Sequence, residues 1–342
     1  MLNHSIIIKR FTYFLMVCSL LCCTPVNAQT AINLLFVGNS ITYGDQLSDP
    51  LTQAPPAICR AIVEDATGLT TNMYNGGHCG ITTWGFLPGR EDFTRLLDKA
   101  KDFQDQYGGI HGLNVKIWEV EQISSHRITF HYFSPDGEES FPANLHIWVT
   151  YSISPHTLDI SFRAHADRAT VVSLTNHAYF NLSGEGEGTI ADHRLQIFAN
   201  EYTPFDATAC PTGEIASITG TLLDFRQPTR LGDRMFHPEF AKWRGINENF
   251  ILSSPDFLKK AAVLSASGRS LTILTTMPGL QLYTGGYIES CVGKSGRRYA
   301  PHHAICLEPQ YFPDSPNHAH FPSTRITPNR DFNESIRLVF SY

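Results

Sequence analysis

"NLHIWVTYSISPHTLDISFRAHA", residues 144–166, carries two apolar alternations back to back. Leu145, Ile147, Val149 and Tyr151 recur every second residue, and Leu158, Ile160, Phe162 and Ala164 repeat the pattern. A period of two sends alternate side chains to opposite faces of an extended chain, so each run predicts a half-buried strand. Ser154-Pro155 between them is a turn signal. The pair therefore predicts antiparallel β-structure with one wet face and one dry face.

Outward from this stretch the same rhythm continues in both directions. "VKIWEVEQI" (115–123), "HRITFHYFS" (126–134) and "TVVSLTNHAYF" (170–180) are strand-like, with Asp136-Gly137 as a further turn. "LTILTTM" (271–277), "GLQLYTGG" (279–286), "HAICLEPQYF" (303–312) and "ESIRLVFSY" (334–342) follow. Many short strands with few helical stretches predict a mainly β chain, an antiparallel β-sandwich over residues 108–342.

The front of the chain has a different texture. Residues 29–105 alternate an apolar run "INLLFVGNSITYG" (32–44), a helix-like "APPAICRAIVEDATG" (54–68), and "TNMYNGGHCGITT" (71–83). A charged amphipathic segment, "EDFTRLLDKAKDF" (91–103), comes next. This order predicts a small α/β fragment with parallel strands. Residues 1–28 read as a secretory leader: Lys9 and Arg10, then the apolar "FTYFLMVCSLLCC" (11–23), then "VNA" (26–28). A run of thirteen residues is too short to cross a bilayer, so the expectation is an exported chain, periplasmic or secreted, without a membrane anchor after cleavage.

Bulk composition narrows the function. With 42% hydrophobic and 17% charged residues and a net charge of −6, the chain is a folded domain rather than a partner of nucleic acid. Five cysteines remain beyond residue 28 (Cys59, Cys79, Cys210, Cys291 and Cys306), an odd, widely spaced set with no C-x-x-C pair. That predicts neither a disulfide framework nor a metal site. No phosphate-binding glycine loop is present, so no cofactor is expected. A monomer acting on a small molecule is the expectation.

Two titratable residues interrupt apolar runs: His177 within "SLTNHAYF" and Glu308 within "CLEPQYF". Buried polar groups must be paired or useful. Taken singly, each has an ordinary explanation: a hydrogen-bonded core histidine, or an edge-strand glutamate in an ion pair. Taken together, they are candidates for a facing acid and base.

Four segments, "TNHAYFNLSG" (175–184), "DFRQPTRLGD" (224–233), "PGLQLYTGG" (278–286) and "LEPQYFPDSPNH" (307–318), resemble the aldose 1-epimerase (galactose mutarotase) family in its own order. The resemblance implies a β-sandwich holding one free aldohexose and interconverting its α and β anomers. It implies Glu308 as base and His177 as acid, with Tyr179 shaping the site and Gln281 bonding a sugar hydroxyl. It also implies that His111, in "GGIHGL", contacts the substrate. In "GINENFIL" (245–252) Asn247 stands where the family usually carries an aspartate for the sugar hydroxyls. Leu113 stands where a second glycine is expected, and the family's first strands, with their Asn-Arg pair, are replaced by the α/β fragment.

That fragment resembles the opening of the SGNH (GDSL-like) hydrolases, which implies Ser40 as nucleophile and Gly80 as an oxyanion donor. The late Asp-x-x-His that would activate such a serine is missing from the chain. A helix-capping Ser40 is the plainer reading. Three functions thus stand at this point: an epimerase, a non-catalytic carbohydrate-binding sandwich, and a carbohydrate esterase.

Overall fold

A computed structural model describes residues 32–36, 71–75, 112–113, 116–206, 209–252, 258–288, 290–292 and 296–342. The leader over 1–28, Ser40, Gly80 and His111 lie outside the described residues. At the front, strands Ile32–Phe36 and Thr71–Asn75 pair in parallel, Ile32 opposite Thr71 and Phe36 opposite Asn75.

The rest is antiparallel β. Among the described residues the larger sheet has nine strands. In spatial order they are Thr229–Arg230, Arg194–Ile197, Lys259–Ala266, Arg269–Thr275, Phe332–Ser341, Thr157–Ala166, Leu145–Ser154, Arg127–Ser134 and Glu119–Ser124. The opening stretch forms the hairpin foreseen for it, Ser154 pairing with Thr157 around Pro155-His156. His156 takes a left-handed φ of 60°, which lets a two-residue loop reverse the chain.

Among the described residues the second sheet has six strands: Ala216–Ser217, Ala199–Thr203, Asn247–Leu252, Gly279–Tyr283, Ile305–Gln310 and Tyr179–Phe180. The inward faces of both sheets share one apolar core. Ile147, Val149, Ile160, Phe162, Ile273 and Leu338 enter it from the larger sheet, and Phe180, Phe250, Leu280, Leu282, Ile305 and Leu307 from the smaller. Each such side chain contributes roughly 1.5–3 kcal/mol on leaving water, which is what holds the layers face to face.

The sandwich therefore matches the expected class, with one local correction. "TVVSLTNHAYF" is not a continuous strand: extended pairing is confined to Thr170–Val171 and Tyr179–Phe180. The segment between them is irregular, and its polar groups bond across to other elements. Thr175 Oγ1 donates to the Pro309 carbonyl at 2.6 Å. His177 thus sits at the mouth of a strand rather than inside one.

Candidate active site

The register of the six-stranded sheet assembles a polar surface on the face turned away from the core. Glu308 lies opposite Gln281, Cys306 opposite both Tyr283 and Tyr179, and Gln310 opposite Gly279. Asn247 lies opposite Tyr283 and Asn249 opposite Gln281. Directly opposed residues share a face. Cys306, Glu308 and Gln310 consequently emerge together, while Ile305 and Leu307 turn into the core.

His177 meets this surface from the side. Its Nδ1 is 3.8 Å from Glu308 Oε1, and the two side chains are 8% and 5% exposed. The imidazole stacks on Tyr179 with ring centroids 5.0 Å apart and planes 15° apart, and Tyr283 stands edge-on to both rings. Tyr283 is held in turn by the Tyr287 backbone N–H, which donates to its hydroxyl at 2.8 Å. Two aromatic walls thus flank a buried acid–base pair, an arrangement suited to gripping the apolar face of a small ring.

Burial sets the protonation of the pair. It pushes the Glu308 carboxyl well above the usual carboxylate range and lowers the His177 imidazole to about 4. An ionised Glu308 beside a cationic His177 therefore does not describe the site at rest. The neutral couple, a protonated carboxyl beside a neutral imidazole, carries the same single proton and avoids desolvating two charges.

Next to the pair runs a row of neutral amides. Gln310 Nε2 donates to Gln281 Oε1 at 3.2 Å, and Gln281 Nε2 donates to Asn247 Oδ1 at 2.7 Å. Gln310 Nε2 also faces Asn249 Oδ1 at 3.4 Å, and Asn249 Nδ2 donates to Thr203 Oγ1 at 3.1 Å. Gly279 makes this packing possible: a Cβ there would stand 2.7 Å from Asn249 Oδ1 and 3.1 Å from the Gln310 carbonyl.

Of the residues singled out from sequence, His177, Glu308 and Tyr179 converge directly, and Gln281 and Asn247 lie beside them on the same face. His111, Ser40 and Gly80 are not among the described residues. The sequence reading missed Cys306, Gln310, Asn249 and Tyr283. Counting by two from Glu308, Asn247 and Gln281 would have found all four, because strand neighbours of a site residue point the same way. The structure also brings His177, Cys306 and Glu308 together, although wide spacing along the chain gave no sign of a ligand set.

Comparison with known proteins agrees with this geometry. Residues 95–338 match the family model described as aldose 1-epimerase. Galactose mutarotase from Rattus norvegicus is 40% identical over 238 residues, covering 69% of this chain and 68% of the relative. The aldose 1-epimerase of Escherichia coli K12 is 32% identical over 254 residues, covering 72% and 73%. Among solved structures, the aldose epimerase homologue from C. elegans superposes with a TM-score of 0.63 at 30% identity, covering 69% of this chain and 72% of that one. The galactose 1-epimerase from Lactobacillus acidophilus gives 0.60 at 26% identity, with 69% of each chain covered. Sequence, sheet order and the buried histidine–glutamate pair all lead to one conclusion: the chain belongs to the aldose 1-epimerase family.

Proposed function

We infer that His177 and Glu308 carry out the aldose 1-epimerase reaction of this family on a free aldohexose such as galactose or glucose. The observation that carries the reading is the 3.8 Å approach of two buried titratable groups from distant parts of the chain. A sugar hydroxyl entering between them supplies the hydrogen bond that His177 Nδ1 lacks among the described residues. The single shared proton then moves to the imidazole, leaving Glu308 ionised as base and His177 charged as acid.

Glu308 takes the proton of the anomeric hydroxyl while His177 gives its proton to the ring oxygen, and the C1–ring oxygen bond breaks. The open aldehyde rotates about C1–C2 and closes on its other face, with each proton returning to its donor. No net proton or electron is exchanged with solvent. Tyr179 and Tyr283 wall the ring, and Asn247 and Gln281 hold its hydroxyls through a neutral amide pair.

Polarimetry on freshly dissolved α-galactose and α-glucose tests this. Glu308→Gln keeps the shape of the side chain and removes the base, so the catalysed rate is expected to fall by about 10³-fold. Sugar binding by the native protein without faster mutarotation, and no change in Glu308→Gln, would instead identify a carbohydrate-binding sandwich.

A further inference from the structure

Cys306 has no part in the reaction above, yet it shares the site. It stands two residues before Glu308 on the same strand face and opposite Tyr179 across the ladder. One ligand atom each from His177, Cys306 and Glu308, a nitrogen, a sulfur and an oxygen, lie within 4.8 Å of one another. All three side chains are buried. His177 Nδ1, the atom facing Glu308, has no hydrogen-bond partner among the described residues.

We propose that His177, Cys306 and Glu308 form a binding site for a thiophilic divalent cation of the zinc and cadmium class, and that its occupation shuts off the sugar site. The donor set decides the class of ion. A thiolate and an imidazole with one carboxylate suit zinc or cadmium and not magnesium or calcium, which prefer oxygen cages. Tetrahedral bonds of about 2.0–2.3 Å place ligand atoms about 3.5 Å apart. The observed spread of up to 4.8 Å is wider than this by little more than 1 Å, so the proposal requires the three side chains to rotate towards the ion. Three protein ligands leave the fourth position open towards the sugar space.

Binding releases two protons to solvent, one from the Cys306 thiol and one from the Glu308 carboxyl, and forms metal–sulfur, metal–oxygen and metal–nitrogen bonds; nothing is oxidised or reduced. The bound ion occupies the His177 and Glu308 atoms that the epimerase reaction requires, so metal and sugar exclude each other. The inhibition half of the proposal rests on the function proposed above, and the binding half does not.

Cadmium is the probe that separates the two, because a cadmium–thiolate bond has its own ultraviolet charge-transfer absorption. Titrating the full chain with CdCl2 is expected to raise that band with a one-equivalent break, which Cys306→Ser loses and MgCl2 does not produce. Excess galactose is expected to suppress the band in the native protein, a result that does not depend on any variant folding. One equivalent of ZnCl2 is expected to slow mutarotation about a hundredfold, with EDTA restoring it. A band that survives in folded Cys306→Ser would place the metal at another thiol, such as the exposed Cys210, and overturn the proposal. So would binding that leaves both mutarotation and sugar affinity untouched. Should the native chain prove inactive towards sugars, the cadmium band alone still decides whether the three ligands meet.

Discussion

The two sheets of the sandwich are built from the same alternation, but they spend their outer faces differently. On the nine-stranded sheet the outer face is wet or half-wet and carries surface pairs. Arg337 Nε donates to Asp159 Oδ1 at 2.6 Å, and the Arg163 guanidinium lies 4.8 Å from the centre of the Trp148 ring. On the central strands of the six-stranded sheet the outer face is nearly as buried as the inner one: Ile305–Gln310 is buried at every position. A strand buried on both faces yet polar on one has a use for that polarity beyond solubility. That contrast, more than any single residue, marks where the chemistry is.

The sharpest way to break the comparison is to titrate the polar face. The working pair carries one proton, so the rate falls when the pair gains a second proton or loses its only one. With His177 lowered to about 4, kcat/KM for mutarotation is expected to hold level down to about pH 5 and then drop about tenfold per pH unit below pH 4. On the alkaline side it falls as the raised Glu308 proton leaves. A lower limb near pH 6.5 would mean that His177 is solvated, and the contrast between the sheets would weaken.

The inner face of the smaller sheet offers the next largest effect. Glu248 points towards the core side with Phe250, its Oε2 has no hydrogen-bond partner among the described residues, and burial, with Glu239 nearby, raises its carboxyl to about 8. Its folded pKa exceeds its unfolded value, so the folded state holds the extra proton between about pH 4.5 and pH 8. Stability from this group is complete below that window and is lost as pH rises through it. Glu248→Gln is expected to raise stability by on the order of 3 kcal/mol at pH 8 and to change little at pH 4.5, read from urea midpoints.

A smaller effect is expected at the amide row. Gln310→Ala removes the donor that orients Gln281 and faces Asn249, leaving their oxygens without that partner. KM for the sugar is expected to rise about tenfold, with kcat nearly unchanged, because the amides hold substrate without moving its protons. The smallest belongs to the outer face of the large sheet. Arg337→Ala breaks a half-exposed ion pair and is expected to cost about 0.5 kcal/mol or less in a thermal or urea melt, with no effect on sugar turnover.

Much of this contrast was legible before any coordinates. The alternation at 144–166 predicts its hairpin because one face meets water and the other does not. His177 and Glu308 stand out because they are polar in apolar company. What the sequence hid depends on register. Cys306 and Gln310 read as ordinary strand residues until the pairing with Gly279–Tyr283 and Tyr179–Phe180 turns them to the same side as Glu308. Glu248 was hidden in another way: it is adjacent to Asn247, and only strand geometry sends neighbours to opposite faces, one to the site and one to the core. The irregular path of 172–178 was hidden because Val, Leu and Thr favour strands locally, whereas the bond from Thr175 to Pro309 is tertiary.

Gly279 has a consequence for how such a pocket can change over time. Its missing side chain is the space in which Asn249 and the Gln310 backbone lie. Even the one-carbon step to alanine would wedge the two neighbouring strands' polar groups apart, so the depth of the hollow cannot be adjusted by ordinary drift at that position. Divergence in which sugar is accepted is then confined to the surrounding wall, where exchanging one side chain disturbs only its own contacts.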